Sequence, residues 1–412
     1  MPQPCTEEHP PQQPRNFLPA TIDDGDANNK SERPQTPEVP NESPHKPAHN
    51  SEKSTVDSAP AALRHVSFNK GKAGYFATGT DRGFRIYNCC ELSSELGYRE
   101  YEVPGGIGNV EMLLDHCVIA LVGSQNMDTQ NPDNTKVMMW NDQRRKFCGE
   151  ISFKSKVHAL RLRRNRIFVV LEHKIYEYRL RNFLRPVNQI DTLPNPKGIC
   201  DVSRGAESFV LVCPGQQKGQ VRVEHYSPSK KTKLITAHDS DIACLALSTD
   251  SKFVATASAK GTLVRVFNTD EGELVREFRR GADRAEIQSL AFSPSAEWLA
   301  VSSDKGTVHV FSLKSGNLDS SLEAKLESEL PRTSSSGSWL LASVKSVLPK
   351  YFRSEWSAAQ FRLPEGSQPV VASFGQEKHE LMIVGLDGSF YRCKFDPAIG
   401  GEMTQIEYHK FY

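Results

Sequence analysis

Two adjacent arginines, Arg279 and Arg280, are the residues of this sequence best suited to bind phosphate, and they stand between Phe278 and Gly281. A guanidinium group donates its hydrogen bonds in a planar fork that matches two oxygens of one phosphate. Neighbouring residues of an extended strand point to opposite faces, so the two side chains cannot share one pocket. The pair therefore predicts two phosphate pockets, and Gly281 permits a sharp turn or a close backbone approach.

Small hydroxyl and cationic side chains recur at matching positions on both sides of this pair. One set comprises His238, Ser258, Thr262 and Arg265, and the other comprises Ser302, Ser303, Lys305, Thr307 and His309. Hydroxyls, Lys and protonated His can all donate hydrogen bonds to phosphate oxygens. Ser, Thr and Lys beside a glycine are also ordinary turn residues, and an Arg-Arg pair is often simply solvated. The residue types alone therefore leave the function open.

Three stretches of sequence around these positions read alike, namely residues 65–88, 244–268 and 289–312. Each contains runs of alternating β-branched and aromatic residues bounded by Gly, Asp, Asn and Ser, which predicts strand, turn, strand, turn and strand. Gly261 and Gly306 occupy the same predicted turn and lie 45 residues apart. That spacing is typical of a four-stranded propeller blade.

Two further glycines extend the same period. Gly83 lies 178 residues before Gly261, close to four periods, and Gly388 lies 82 residues after Gly306, which is one period plus an insertion. Placing Gly83 in blade one puts Gly261, Gly306 and Gly388 in blades five, six and seven. The spacing therefore predicts an all-β, seven-bladed, WD-repeat-like β-propeller. A β-sandwich followed by a second domain is the alternative, and it would not produce the 45-residue phase.

The chain is expected to comprise a tail at 1–60 and a propeller at 61–412, with an inserted loop at about 313–353 in blade six. The first sixty residues hold 12 of the 25 prolines and show no apolar periodicity, so they cannot bury enough surface to offset the entropy of ordering. They carry ten acidic and five basic residues, which leaves the remainder mildly basic. The positive net charge of residues 61–412 is too small for a nucleic-acid-binding protein, but it permits an anionic surface as partner.

The cysteines and the hydropathy pattern predict a cytoplasmic protein. Nine cysteines, an odd number without any C-x-x-C pair, favour reduced thiols. The N-terminus lacks the apolar run of a secretory signal, and no run reaches the roughly 18 apolar residues of a spanning helix. Any membrane contact is therefore expected to be peripheral.

The predicted inserted loop contains an amphipathic segment. Leu340, Val344, Val347 and Leu348 fall on one face of a short helix that Pro349 ends. Basic residues nearby suit an anionic membrane surface, in which such a segment can lie without spanning it. The residues predicted to enter the membrane are Trp339, Leu340, Val344, Val347 and Leu348. A loop helix packed on the propeller is the alternative.

No catalytic residue, metal ligand or cofactor is predicted. The run Gly105–Gly108 follows a proline and opens a strand-like segment, so it lacks the strand-then-helix context of a dinucleotide-binding loop. His116, His158 and His173 stand alone on strand patterns, where a structural role is the simpler interpretation. An enzyme is therefore the remote alternative.

The sequence FRRG at 278–281, with SAKGTLVRVF before it and SSDKGTVHVF after it, resembles the PROPPIN family, called WIPI proteins in animals. The likeness covers roughly residues 61–412 and includes NTKVMMWND (134–142) and LPKYFRSEWSAAQFRLPEG (348–366), which are similar to the subgroup with shorter loops. Members of this family are phosphoinositide-binding seven-bladed propellers.

The resemblance implies two rim sites for phosphatidylinositol 3-phosphate and phosphatidylinositol 3,5-bisphosphate. The first would comprise His238, Ser258, Thr262, Arg265 and Arg279, and the second Arg280, Ser302, Ser303, Lys305, Thr307 and His309. It also implies recruitment to pre-autophagosomal, endosomal or vacuolar membranes, and a lipid-transfer partner of the autophagy pathway. A WD-type scaffold that binds only proteins remains the alternative.

Overall fold

Seven antiparallel sheets make up the part of the chain that the computed structural model describes, which is residues 62–412 except 71–72, 93–96, 114–116, 125–132, 206–208, 227–228, 315–354 and 367–368. Each sheet is built from four strands that follow one another in the chain, apart from a two-residue strand at Gly401–Glu402 that joins the sixth sheet. The first strands of successive sheets contact each other in a closed ring, so they line the centre and the sheets radiate as blades. The predicted seven-bladed propeller is confirmed.

The first three blades each have four strands. They comprise β1 (Leu63–Phe68), β2 (Tyr75–Thr80), β3 (Gly83–Asn88) and β4 (Tyr98–Glu102); β5 (Ile107–Leu113), β6 (Val118–Gly123), β7 (Lys136–Asn141) and β8 (Lys146–Ser152); and β9 (Ala159–Arg163), β10 (Arg166–Val170), β11 (Lys174–Arg179) and β12 (Asn188–Asp191). A 3₁₀ turn at Asp133–Thr135 precedes β7.

Blades four and five also have four strands, which are β13 (Asp201–Val202), β14 (Val210–Pro214), β15 (Gln220–His225) and β16 (Lys231–Thr236); and β17 (Ile242–Leu247), β18 (Phe253–Ser258), β19 (Leu263–Asn268) and β20 (Leu274–Arg279). Blade six has β21 (Ile287–Phe292), β22 (Trp298–Ser303), β23 (Thr307–Ser312) and β24 (Ala359–Arg362), and blade seven has β25 (Val370–Phe374), β26 (Glu380–Gly385), β27 (Ser389–Lys394) and β29 (Thr404–Lys410). The short strand β28 (Gly401–Glu402) adds to β24 in parallel.

Apolar side chains fill the gaps between blades. Seven clusters of buried residues join the seven pairs of adjacent blades, because alternate residues of a central strand face opposite neighbours. The last strand, β29, stays in its own blade, so side chains close the ring between blades seven and one. Phe76 stacks on Tyr87 at 4.7 Å and on Phe390 at 6.1 Å, and Arg392 Nη2 donates to the Cys89 carbonyl at 2.7 Å.

The four glycines that set the sequence period occupy equivalent turns. Gly261, Gly306 and Gly388 lie between the second and third strands of blades five, six and seven, and Gly83 is the first residue of the third strand of blade one, which confirms the predicted phase. Gly261 has φ +64°, and a Cβ there would lie 1.8 Å from the Ala285 carbonyl oxygen. Glycine is therefore required where this turn meets the strand that enters blade six.

The long insertion joins β23 to β24 within blade six, as the glycine spacing predicts. Residues 315–354 lie outside the described part of the chain. The predicted membrane-entering residues, Trp339, Leu340, Val344, Val347 and Leu348, therefore lie outside it too, and their role stays a prediction.

An ion pair spans the centre of the ring between blades that are not neighbours. Lys70, which follows β1 in blade one, places Nζ 2.5 Å from Oδ1 of Asp201 in blade four. The other oxygen of Asp201 accepts the Leu247 N–H of blade five at 2.9 Å. Burial alone would raise the pKa of Asp201, but the charges of Lys70 and Arg204 lower it to about 2. The carboxylate therefore ties three blades together.

Replacing this carboxylate by Asp201→Asn should lower the free energy of unfolding at neutral pH by about 2 kcal/mol, because the folded-state pKa lies below that of a free carboxyl. That stabilisation is present above pH 3.8 and is lost as the pH falls through 2, so the difference from the parent should narrow over that range. Urea unfolding measures it.

Asp191→Asn is the matched control, since Asp191 is 59% exposed and faces Lys174 at 3.5 Å on the surface. Exposed pairs contribute about 0–1 kcal/mol, so this change should matter little. Equal effects of the two substitutions would contradict a special role for the central ion pair.

Candidate functional site

The backbone of the arginine pair turns to opposite sides at the end of β20. The Arg279 N–H donates to the Glu355 carbonyl at 2.8 Å, whereas the Arg280 N–H donates to the Thr262 carbonyl at 3.0 Å. The buried Arg280 guanidinium also donates from Nε to the Gly261 carbonyl at 3.1 Å and from Nη2 to the Asp283 carbonyl. These bonds use two of its five N–H donors, so they fix its orientation without exhausting its capacity.

The packing partners identify the two faces of blade five. Val254 and Phe267 pack with residues of blade four, whereas Val264 and Phe278 pack with residues of blade six. Cross-strand partners share a face, and so do residues two apart on a strand. The register of the strands therefore assigns the predicted site residues that lie on strands of blades five and six to a gap between blades.

The first predicted set gathers in the gap between blades four and five. Arg265 lies opposite Thr256 on one side and Glu277 on the other, and Arg279 lies opposite Leu263 on the same face. Ser258 is two residues beyond Thr256 and shares that face, and Thr262 is half-buried in the turn that follows it. The structure thus brings Ser258, Arg265 and Arg279 to one face of blade five, with Thr262 in the adjoining turn.

His238 joins this set through residues that the sequence patterns did not single out. Its Nε2 lies 3.0 Å from Thr256 Oγ1, which donates to the Arg265 carbonyl at 3.2 Å. Arg265 in turn donates to Glu277 Oε2 at 2.9 Å and to the Ala237 carbonyl at 2.6 Å. Burial and the charge of Arg265 lower the pKa of His238 to about 4. The period-two pattern could have found Thr256 and Glu277, since both lie in register with Arg265.

Most of the second set gathers in the gap between blades five and six. Ser303, Thr307 and His309 share a face with Val301 and Phe311, which pack against blade five. His309 Nδ1 lies 3.1 Å from the hydroxyl oxygen of Ser357, another residue that the sequence patterns did not single out. Burial, and then the charge of Arg280, lower the pKa of His309 to about 4, so Arg280 acts across this gap.

Ser302 departs from its predicted set. It is fully buried on the face of blade six that turns to blade seven, where its hydroxyl donates to the Val370 carbonyl at 3.0 Å and lies 2.7 Å from Ser289 Oγ. Ser302 and Ser303 are neighbours on one strand, so they cannot face the same gap. The structure therefore gives Ser302 a place in the packing of blade seven and brings only Ser303 towards Arg280.

Lys305 lies at the edge of a different depression. Its side chain is exposed in the turn after β22 and lines a cleft of about 960 Å³ formed by loops of blades three to six. None of the other predicted site residues lines this cleft. Lys197 Nζ and Glu286 Oε1, which lie 2.5 Å apart, contribute to its wall.

Among the described residues, no helix has the length and hydropathy of a membrane span. The same residues include no group of three or more His, Cys, Asp or Glu side chains placed to hold a metal ion.

Fold and site together define a seven-bladed propeller with polar side chains in two successive gaps, one on each face of blade five. The PROPPIN family matches residues 62–412. "Autophagy-related protein 18e" of Arabidopsis thaliana is 41% identical over 349 residues, covering 84% of this chain and 87% of that protein. "Autophagy-related protein 18" of Yarrowia lipolytica is 31% identical, covering 84% of this chain and 95% of that protein. The chain belongs to the PROPPIN family.

Solved structures support the same fold. A structure described as Kluyveromyces lactis Hsv2 with complete loop 6CD has a TM-score of 0.66 and 25% identity, covering 86% of this chain and all of that one. A complex of KlAtg21 with the coiled-coil of AgAtg16 matches with a TM-score of 0.64 and 22% identity, covering 85% of this chain and all of that one.

The buried histidines predict a pH dependence of stability. His238 and His309 each have a folded-state pKa of about 4 against a usual 6.5, so the unfolded chain takes up protons first as the pH falls. The free energy of unfolding should therefore decrease as the pH falls from 6.5 to 4. His309→Gln cannot titrate and should flatten part of that slope, as measured by thermal unfolding across this range.

His173→Gln is the control for this experiment because His173 is exposed. It should leave in place the part of the slope that arises in the gap between blades five and six. An identical slope for the His309→Gln variant and the parent would contradict the assignment of this titration to the gap between blades five and six.

Proposed function

We propose that this chain is a non-catalytic, peripheral membrane effector that binds phosphatidylinositol 3-phosphate and phosphatidylinositol 3,5-bisphosphate and scaffolds autophagosome formation. The observation that carries the proposal is the division of Arg279 and Arg280 between two gaps, each with its own histidine and hydroxyl groups. A propeller that binds only proteins has no need of two such pockets. The names of the curated relatives support the autophagy role.

The second pocket is the better prepared of the two for an anion. The Gly261 and Asp283 carbonyls hold the Arg280 guanidinium in one orientation before a ligand binds. A preorganised guanidinium loses less side-chain entropy when it binds a phosphate. His309 is neutral at pH 7 because its pKa is about 4, so an anion there would meet one fixed charge and a ring that can gain a proton. Ser303 and Thr307 supply hydroxyl donors on the same face.

The first pocket combines Arg279 with Ser258 and Thr262. Arg265 already pairs with Glu277 at 2.9 Å, so its charge is partly neutralised before a ligand binds. Arg265 therefore orients the pocket, and Arg279 supplies its main contact with phosphate. In this arrangement His238 and Thr256 hold Arg265 in place.

Two headgroup sites on neighbouring gaps suit attachment to a membrane surface. Binding of one headgroup holds the other pocket near the same bilayer, which raises the effective concentration of lipid for the second. We propose that the protein is cytoplasmic until it is recruited in this way to pre-autophagosomal, endosomal or vacuolar membranes. It would bring a lipid-transfer protein of the autophagy pathway there; the complex of KlAtg21 with a coiled-coil shows that one structural neighbour does bind a protein segment.

Arg279→Thr and Arg280→Thr should each weaken headgroup binding at one site by about 10- to 100-fold, because a charge-assisted hydrogen bond contributes about 1.5–3 kcal/mol. The double variant should lose nearly all binding. Isothermal titration calorimetry with soluble inositol 1,3-bisphosphate reports both affinity and stoichiometry.

Arg181→Thr, an exposed arginine of blade three, is the matched control and should bind as the parent does. Thermal unfolding of the Arg280→Thr variant shows whether loss of its carbonyl contacts disturbs the fold. A stoichiometry of one headgroup per parent protein would refute the two-site proposal, and full binding by the folded double variant would refute lipid recognition by this pair.

The predicted amphipathic segment of the insertion is the third proposed membrane contact. Replacing Leu340, Val344 and Leu348 together by Asp should abolish retention on vesicles that contain phosphatidylinositol 3-phosphate, because charged side chains do not enter the apolar interface. Binding of the soluble headgroup should stay intact. If the triple variant floats with vesicles as the parent does, the segment packs on protein instead.

A further inference from the structure

A pocket of about 310 Å³ opens where the first strands of blades one, two and three begin, at the mouth of the central channel. The connection between β6 and β7 completes its wall. Of the residues predicted to bind headgroups, none lines this pocket. The glycine run Gly105–Gly108, which does not fit a dinucleotide-binding loop, contributes Gly108 to the wall.

Two irregularities in strand pairing lie in this wall. The register of β1 against β2 shifts at Arg64, and the register of β5 against β6 shifts at Gly108. Neither residue has a cross-strand partner in these ladders, and both line the pocket. A bulge of this kind takes its extra residue out of the regular alternation of the strand, and it is common beside functional sites. The two irregularities therefore place an arginine and a glycine at the same pocket.

The charged residues of this pocket are all basic. Arg64 and Lys156 are exposed and His158 is half-buried, and no Asp or Glu is among the described residues that line the pocket. Burial, and then the charge of Lys156, lower the pKa of His158, so this ring is neutral at pH 7. Glu172, whose charge raises that pKa to a smaller extent, does not line the pocket. The pocket therefore offers two permanent positive charges and no opposing carboxylate.

The segment that carries Lys156 is held by backbone hydrogen bonds before a ligand binds. The Val157 N–H donates to the Asn134 carbonyl at 2.9 Å, and the His158 N–H donates to the Val170 carbonyl at 2.8 Å. Asn134 is buried and lines the pocket, and its side-chain amide is a further hydrogen-bond donor. A ligand would therefore bind here without the entropic cost of ordering this segment.

We propose that this pocket binds the phosphate group of a small soluble molecule. Two permanent cations match the double negative charge of a phosphomonoester, and the guanidinium of Arg64 can donate to two of its oxygens. Gly108 has no side chain to keep a third oxygen away from the backbone. A volume of about 310 Å³ lies at the lower end of the range for small-molecule pockets, so it suits a sugar-sized phosphate better than a protein segment.

This site is independent of the proposed headgroup sites. It draws on blades one to three, whereas the rim sites lie on the two faces of blade five. The inference therefore does not rest on the proposed function. A lipid headgroup carries the same phosphate chemistry, so the experiment has one arm for each source.

Isothermal titration calorimetry with inorganic pyrophosphate tests the site in the full chain carrying Arg279→Thr and Arg280→Thr, which removes both rim arginines. We expect one pyrophosphate per chain at physiological ionic strength. Adding Arg64→Gln or Lys156→Gln should weaken binding by about 10-fold, because each removes a charge-assisted hydrogen bond. Lys154→Gln is the matched control, since Lys154 is exposed two residues away and does not line the pocket.

Absence of pyrophosphate binding, or an equal loss in the Lys154 and Lys156 variants, would overturn the proposal. The same substitutions compared in the parent background keep the test valid if the rim substitutions disturb the fold.

Vesicles that contain phosphatidylinositol 3-phosphate separate the two sources of phosphate. The rim double variant should bind pyrophosphate but should not be retained on these vesicles. Retention that is lost when Lys156→Gln is added would overturn the assignment to a soluble ligand and give the pocket to a lipid headgroup. Retention that Lys156→Gln does not change would contradict the proposed rim sites instead, while the pyrophosphate result would still support this pocket.

Discussion

Each blade of this propeller is covered on both faces by its neighbours, so a polar side chain on a central strand must find its partner in the gap between two blades. Leaving a buried polar group unpaired costs about 1–3 kcal/mol, so a polar side chain in one of these gaps needs a hydrogen-bond partner. His238 meets this demand through Thr256, and Ser302 meets it through Ser289 and the Val370 carbonyl. The apolar clusters and the candidate pockets obey the same rule.

Because each blade is covered on both faces, the end of β20 can direct one arginine towards each of two neighbouring gaps. Phe278 is fully buried and stacks on Phe311 of blade six at 4.8 Å, which fixes the end of β20 against that blade. Arg279 then turns to the gap with blade four, and Arg280, anchored by backbone carbonyls, acts on the gap with blade six. The sheet of blade five therefore lies between the gap that Arg279 faces and the gap on which Arg280 acts.

The sequence predicted the fold well because its signal is periodic and local. A turn that favours glycine leaves a mark in blades one, five, six and seven, and a Cβ at Gly261 would meet the Ala285 carbonyl, so the 45-residue phase was enough to number the blades. Side-chain alternation likewise separated Arg279 from Arg280. The same alternation separates Ser302 from Ser303. The prediction of the second set did not apply this alternation, so it grouped Ser302 with strand residues that face blade five.

Other features of the site depend on contacts between distant parts of the chain, which no local pattern reveals. Ser357 reaches His309 because Glu355, two residues earlier, bonds to the end of β20, and Lys70 reaches Asp201 because the ring is closed. Both contacts join elements that are far apart in sequence, and both involve the inner or outer limits of blades, where neighbouring sheets no longer cover the strands. The packing between the blades is therefore regular and can be predicted from sequence, whereas polar contacts at the margins of the blades depend on the closed ring and cannot.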